Sequence, residues 1–148
     1  MKYVSKSIKE TACIAETFLK QVKKCPHKKA LVVGLEGDLG SGKTAFTKEV
    51  AKLFGVKGTV TSPTFVIEKI YKLKNQLFDY LIHIDAYRLN SGDELRHLGW
   101  KEIAANPKNI ILVEWPERVI KILPNDMMKI QFTFVDEHTR EIRIMNQE

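Results

Sequence analysis

An uninterrupted Gly-x-x-x-x-Gly-Lys-Thr segment, Gly37–Thr44, sets the strongest limit on how this chain can fold. It follows the apolar run Ala30–Glu36, whose composition is typical of a strand buried on both faces. It leads into Lys43–Phe54, in which apolar residues recur at helical spacing. Glycines let successive backbone N–H groups turn inward around an anion, and the start of a helix adds a partial positive charge. The pattern therefore predicts a strand–loop–helix unit that holds a polyphosphate.

Two side chains of this segment have expected roles at a nucleoside triphosphate bound with Mg²⁺. Lys43 would place a positive charge beside the β- and γ-phosphates, and the Thr44 hydroxyl would ligate Mg²⁺. A glycine-rich turn with a coincidental lysine is the alternative, which the flanking strand and helix disfavour. The residues predicted to bind the nucleotide here are Gly37, Asp38, Leu39, Gly40, Ser41, Gly42, Lys43, Thr44 and Ala45.

Two carboxylates end apolar runs, Asp85 after Leu81–Ile84 and Glu114 after Ile110–Val113. The carboxyl ends of parallel core strands meet at one edge of a sheet, so both acids are expected near the loop. Either could hold Mg²⁺ directly or through water, and Glu114 could also orient an attacking water; alternatively, each only caps the next turn. The predicted catalytic residues are Lys43, Asp85 and Glu114, and the predicted metal ligands are Thr44, Asp85 and Glu114.

The remaining pattern predicts one α/β domain over residues 1–148. We expect a three-layer, P-loop NTPase-like fold, with a central, mainly parallel sheet, helices on both faces and antiparallel hairpin additions. Ser7 with Glu10, and Ser91 with Glu94, match the capping box that begins helices. The further expected elements are helices over Ser7–Lys24 and from Ser91 through Trp100 and Ile103, and hairpins joining Thr64–Leu73 to Leu77–Ile84 and Lys129–Val135 to Glu141–Ile144.

Composition and charge limit the classes of partner. No apolar run approaches the roughly 18 residues that span a bilayer, and Cys13 and Cys25 fit neither a metal spacing nor a disulfide framework. We therefore expect a cytoplasmic protein with reduced cysteines and neither a membrane nor DNA as partner. The net charge of +6 and the lysines of residues 20–29 could attract RNA or an acidic protein. A solvated helix end explains those lysines better, because no aromatic residues that stack on bases are interleaved there.

Some polar residues remain ambiguous. The hydroxyl-rich segment Thr61–Thr64 could be a switch that contacts the γ-phosphate, or a turn capped by Ser and Thr. Histidines in strands and at helix ends are more often structural than catalytic, so His83 and His97 receive no functional assignment.

Four blocks of sequence together resemble the TsaE family, the small bacterial ATPases of threonylcarbamoyladenosine tRNA modification. The blocks are Gly37–Thr44, Ser62-Pro63-Thr64-Phe65, His83-Ile84-Asp85-Ala86-Tyr87-Arg88-Leu89 and Glu114-Trp115-Pro116-Glu117, in the order seen in that family. Ser41 and Ala45 stand where the family often has Ala and Thr, and neither change touches a mechanistic position.

The resemblance implies a function beyond what spacing predicts. Family members bind ATP or ADP, hydrolyse ATP slowly alone, and work with TsaB and TsaD, so tRNA would be contacted mainly through that complex. Hydrolysis is thought to reset the complex between turnovers. By matching motifs, Thr44 and Glu114 would ligate Mg²⁺, and Asp85 would be the Walker-B-like acid. The resemblance also implies nucleotide-site roles for Thr11 near the base or sugar, Thr64 in the switch segment and Trp115 beside the site.

A slow intrinsic rate has a physical counterpart, because phosphoryl transfer depends on cations that stabilise the developing charge. Besides Lys43, Arg88 is the obvious internal candidate, so we hypothesise that partners complete the site or order Thr61–Thr64. Three other functions stay open: a small-molecule kinase, disfavoured because the five arginines are scattered; a nucleotide-gated scaffold without turnover; and direct tRNA binding, suggested only by net charge.

Overall fold

A computed structural model describes residues 1–23, 28–58, 67–74 and 76–145. The described residues form seven strands and four α-helices, with a 3₁₀ turn at Pro116–Val119. The strands are β1 (Lys2–Ser5), β2 (Leu31–Glu36), β3 (Glu68–Lys72), β4 (Tyr80–Asp85), β5 (Asn109–Glu114), β6 (Met128–Asp136) and β7 (Thr139–Met145). The helices are α1 (Ile8–Lys23), α2 (Lys43–Leu53), α3 (Asp93–His97) and α4 (Trp100–Ala105).

The strands make one sheet in the order β1-β7-β6-β2-β5-β4-β3. Its centre is parallel, since β2 pairs in parallel with both β5 and β6, and β4 pairs in parallel with β5. Antiparallel strands extend both edges, with β3 on β4, β7 on β6 and β1 on β7. The predicted α/β class with hairpin additions is confirmed.

Two apolar layers cover the sheet because strand side chains alternate between its faces. Ile110 and Leu112 of β5 join the cluster under α1 and α2, whereas Ile111 and Val113 join the cluster under α3, α4 and the 3₁₀ turn. The centre of the sheet is therefore buried on both faces. The carboxyl ends of its parallel strands lie at one edge, where the loops begin.

The N-terminal segment departs from the prediction in two ways. Lys2–Ser5 forms β1, which we did not predict because its four residues carry no clear alternation of apolar and polar positions. Helix α1 begins with the expected bond from the Glu10 N–H to the Ser7 hydroxyl (3.1 Å). The Glu10 carboxylate, however, accepts from the backbone N–H of Lys6 instead of that of Ser7.

The single helix predicted from Ser91 through Ile103 is wrong. The chain forms two short helices, α3 and α4, separated at Gly99, whose φ of 83° lies in the left-handed region that interrupts a helix. The Ser91 hydroxyl accepts from the backbone N–H of Asp93 (3.3 Å). A capping box would instead use the backbone N–H of Glu94, one residue later.

The predictions that lie outside the described residues include those on Cys25 and on the switch segment Thr61–Thr64. Cys13 is exposed and has a free thiol. Among the described residues, no helix is both long and apolar enough to span a lipid bilayer.

Candidate nucleotide site

The glycine-rich loop lies at the carboxyl edge of the sheet, between β2 and α2. The register places Leu35 of β2 opposite Glu114 of β5, and Glu114 opposite Asp85 of β4. Because these three strands run in parallel, their ends bring both predicted carboxylates to the loop. The loop and both acids, which are far apart in sequence, therefore lie along the same edge of the sheet.

Gly37 is required by close packing at the start of the loop. Its φ is +150°, and an added Cβ would lie 2.5 Å from the Phe132 carbonyl oxygen and 2.7 Å from the Ser41 hydroxyl. Neither distance is compatible with a real Cβ, and the Phe132 oxygen belongs to the backbone of β6 and cannot rotate away. The glycine therefore lets the loop sit directly against β6.

Helix α2 presents an open N-terminus to the loop. Gly42 precedes it with a left-handed φ of 107° and offers no side-chain cap. The first N–H groups of an α-helix have no partner within the helix, and they carry a partial positive charge. An eleven-residue helix that begins in this way provides donors for a phosphate.

Lys43 is 4% exposed and is folded back onto the site. Its Nζ donates to the Gly37 carbonyl and lies 3.7 Å from the centroid of the Trp115 ring. Burial lowers the pKa of the ammonium below its ordinary value, although surrounding carboxylates oppose that shift. Those carboxylates belong to Glu114, Glu117, Asp85 and Asp38. The ammonium is thus poorly hydrated and close to acids, so a bound phosphate would add a strong electrostatic partner.

Trp115 reaches Lys43 through an unusual backbone conformation. Directly after β5 its φ is 59° and its ψ is 51°, a left-handed conformation that costs on the order of 1–3 kcal/mol for a residue other than glycine. Its ring packs on Tyr87 at a centroid distance of 5.0 Å. The turn therefore aims the indole at the ammonium, where cation–π attraction is favourable.

Glu114 connects the loop helix to the centre of the sheet. It is 3% exposed, its Oε1 accepts from the Thr44 hydroxyl (3.3 Å), and its Oε2 lies 2.6 Å from His83 Nε2. Asp85 lies beside it in register, and its Oδ1 accepts from the Tyr87 backbone N–H (2.9 Å). Two acids and one hydroxyl thus converge from α2, β4 and β5.

This donor set fits Mg²⁺ bound together with a nucleotide. The described residues contain no cluster of three or more His, Cys, Asp or Glu side chains that would hold a metal alone. Mg²⁺ usually takes one or two protein carboxylates and completes its shell with water and substrate phosphates. Thr44, Glu114 and Asp85 are the residues that would hold it.

A cavity of about 570 Å³ opens above the loop, within the size range of small-molecule sites. Predicted residues that line it are Thr11, Leu39, Gly40, Ser41, Gly42, Lys43, Thr44, Ala45, Asp85, Glu114 and Trp115. Gly37 and Asp38 do not line it; Gly37 lies behind the loop, against β6. Thr64 lies outside the described residues.

Two further segments line the cavity that sequence reasoning did not assign to it. Ser5–Ile8 leads into α1, the β6–β7 turn contributes Glu137 and His138, and the start of β7 contributes Arg140. Arg140 donates from Nε to the Gly40 carbonyl (3.0 Å), so it fastens the hairpin to the loop. No local motif marks the residues of the turn and of β7, because only the sheet order brings them near the loop. Tyr87 also lines the cavity and belongs to the His83–Leu89 block, which could have identified it.

The fold and the loop together define an α/β protein of the P-loop class. The family model described as "Threonylcarbamoyl adenosine biosynthesis protein TsaE" matches residues 5–142. The chain therefore belongs to the TsaE family, and the resemblance inferred from the four sequence blocks is confirmed. The role of this family lies in threonylcarbamoyladenosine biosynthesis on tRNA.

Individual relatives agree with the family match. The "tRNA threonylcarbamoyladenosine biosynthesis protein TsaE" of Rickettsia typhi is 38% identical over 135 residues, which cover 90% of this chain and 87% of that protein. The protein of the same name from Haemophilus influenzae is 34% identical over 119 residues, covering 80% and 72%. The solved "Crystal structure of Bacillus subtilus YdiB" superposes with a TM-score of 0.70 at 30% identity, covering 97% of this chain and 83% of that one.

Proposed function

We propose that this chain binds ATP with Mg²⁺ and hydrolyses it in the service of tRNA threonylcarbamoyladenosine modification. The observation that carries the proposal is the convergence of Lys43, Thr44 and Glu114 on the open N-terminus of α2, beneath one cavity. A polyphosphate would supply acceptors for the unpaired N–H groups of the helix and negative charge beside the Lys43 ammonium, and Mg²⁺ would offset its repulsion by Glu114.

Each residue has a distinct task in this proposal. The loop amides and Lys43 bind the phosphates, with the ammonium exchanging its bond to the Gly37 carbonyl for a phosphate oxygen. Thr44 and Glu114 would hold Mg²⁺, which would supply positive charge beside the phosphates. Asp85 lies at the adjacent strand end, where its carboxylate accepts from the Tyr87 N–H and would help to hold Mg²⁺ directly or through water. Positioning and charge stabilisation supply most of the catalysis in phosphoryl transfer.

The nucleoside would lie between the two segments that flank the loop. On one side, Thr11 lines the cavity, which supports the expectation that Thr11 approaches the base or sugar, and its hydroxyl is hydrogen-bonded to Ser5 Oγ (2.7 Å). On the other side are the β6–β7 turn and Arg140 of β7.

Arg140→Gln is expected to weaken ATP·Mg²⁺ binding roughly 3- to 10-fold, as for loss of one partly exposed charge-assisted bond. The guanidinium holds the Gly40 carbonyl, so its removal frees the loop from the hairpin. Calorimetric titration measures the effect, and Arg143→Gln, on an exposed residue of the same strand, is the matched control. Equal ATP·Mg²⁺ affinities for the two variants would show that Arg140 does not contribute to nucleotide binding.

The proposed partners are TsaB- and TsaD-like proteins, with tRNA contacted through their complex. The described part of the site has one buried cation, Lys43, while Arg140 is occupied by the carbonyls of Gly40, Asp136 and Thr139. A cation or an ordered segment supplied on complex formation would raise turnover.

Adding saturating TsaB and TsaD is therefore expected to raise the ATPase rate at least tenfold, because the charge that develops during phosphoryl transfer gains a partner. A steady-state phosphate-release assay measures it, with Lys43→Ala plus both partners as the control for contaminating ATPase. An unchanged rate at saturation would refute activation by these partners.

A further inference from the structure

His83 occupies an unusual place for a polar ring. It is 0% exposed in the middle of β4, opposite Lys69 of β3 and Leu112 of β5. Its neighbours along the strand are the apolar residues Ile82 and Ile84. Burying an imidazole there is costly unless the ring makes a specific hydrogen bond. That bond is the contact of Nε2 with Glu114 Oε2 (2.6 Å).

The surroundings of the ring fix which nitrogen donates. Among the described residues, Nδ1 of His83 is buried without a hydrogen-bond partner. A proton on Nδ1 would leave that N–H unsatisfied and would place the bare Nε2 lone pair against a carboxylate oxygen. The tautomer that fits carries its proton on Nε2 and donates it to Glu114.

The two oxygens of Glu114 therefore face different partners. Oε2 accepts from His83 in the core, and Oε1 faces the Thr44 hydroxyl at the start of α2. A carboxylate anchored at one oxygen cannot rotate freely about its terminal torsion, so the direction of the other oxygen is set before a metal arrives. Such supporting contacts orient metal ligands and lower the entropic cost of binding.

We propose that His83 is a positioning residue, which donates from Nε2 to Glu114 Oε2 and thereby holds Oε1 toward Thr44 for Mg²⁺. This role rests on the metal site of the proposed function. It differs from a purely structural role, in which His83 would fill space in the core and its loss would lower thermal stability without changing metal affinity.

Two substitutions separate these roles. His83→Leu removes the donor and keeps an apolar side chain in the core. His83→Gln places its amide nitrogen the same number of bonds from the backbone as Nε2, so it can still donate to Glu114. The readout is Mn²⁺ affinity in the presence of ADP, measured by electron paramagnetic resonance titration of free Mn²⁺. The melting temperature of each variant is recorded in parallel.

The expected result is that His83→Leu weakens ADP-dependent Mn²⁺ binding about 10- to 100-fold, while His83→Gln stays within about threefold of the parent, as expected if the hydrogen bond is retained. ADP affinity in EDTA should be the same for all three proteins. Unchanged Mn²⁺ affinity in folded His83→Leu would overturn the positioning role. Absence of ADP-dependent Mn²⁺ binding in the parent would instead refute the metal site of the proposed function.

A second measurement needs no variant. Long-range ¹H–¹⁵N correlation spectra of the parent protein report which ring nitrogen of each histidine carries the proton. We expect the Nε2–H pattern for His83. The Nδ1–H pattern would overturn the proposal even if His83→Leu failed to fold.

Discussion

Lys43→Ala is expected to lower ATP turnover on the order of 10³- to 10⁵-fold, the effect of removing a cation from phosphoryl transfer. The ammonium is buried, so water cannot replace it efficiently when it is removed. Its charge also interacts with the carboxylates of Glu114 and Asp85. Without it, those acids would repel an incoming polyphosphate, so ATP affinity should fall together with the rate.

Single-turnover hydrolysis at saturating protein separates the loss of rate from the loss of affinity. Lys48→Ala is the matched control, because Lys48 lies on the same helix with an exposed side chain. The circular dichroism and melting temperature of both variants should show a folded protein. If Lys43→Ala hydrolysed ATP as fast as Lys48→Ala, the loop would not be the catalytic site.

Glu114→Gln is expected to lower turnover on the order of 10²- to 10³-fold, comparable to the loss of one preorganised electrostatic contact at a reacting centre. Gln keeps the size of the side chain, and its oxygen can still accept from His83 or Thr44. It loses the negative charge that holds Mg²⁺. ADP binding in EDTA should therefore persist, whereas the gain in affinity on adding Mg²⁺ should largely disappear.

Parallel titrations with and without Mg²⁺ test this expectation, and Glu102→Gln on the exposed face of α4 is the control. The same variant separates turnover from nucleotide-gated scaffolding. If ATP binding survived and tRNA modification with the partner proteins stayed intact, hydrolysis would be dispensable. A Mg²⁺ dependence identical to that of the parent would show that Glu114 is not a metal ligand.

The loop and its carboxylates were predictable because their signals are local. The glycine spacing of Gly37–Thr44 encodes both the turn and the helix start, and each acid follows a largely apolar run of strand length. Parallel strands then place their ends together whatever the order of the sheet. The parallel centre of the sheet and both hairpins were predicted from apolar and alternating segments of the same kind.

Features set by distant parts of the chain were not predictable. Arg140 reaches the Gly40 carbonyl across 100 positions in sequence, and only the order β7-β6-β2 brings them together. β1 exists because it can pair with the edge of β7. The break at Gly99 had a local signal, but the capping-box pattern at Ser91 suggested a continuous helix.

His83 shows a different limit. A histidine within an apolar strand has the appearance of an ordinary core residue, and its sequence neighbours give no sign of its partner. Only the register of β4 beside β5 brings its ring to Glu114. The pairing of strands therefore determines whether such a residue only packs in the core or contacts a functional side chain.

A chemical-shift titration of uniformly ¹⁵N-labelled protein with ATP·Mg²⁺ locates the ligand most directly. Binding at the loop predicts that the amide signals of Gly40, Gly42, Lys43 and Thr44 shift most, and that Lys43→Ala abolishes those shifts. A second cavity, lined by Lys28, Lys29 and Met127, lies at the opposite end of β2 and serves as an internal reference. Shifts confined to that end, or none at millimolar ATP, would contradict nucleotide binding at the loop.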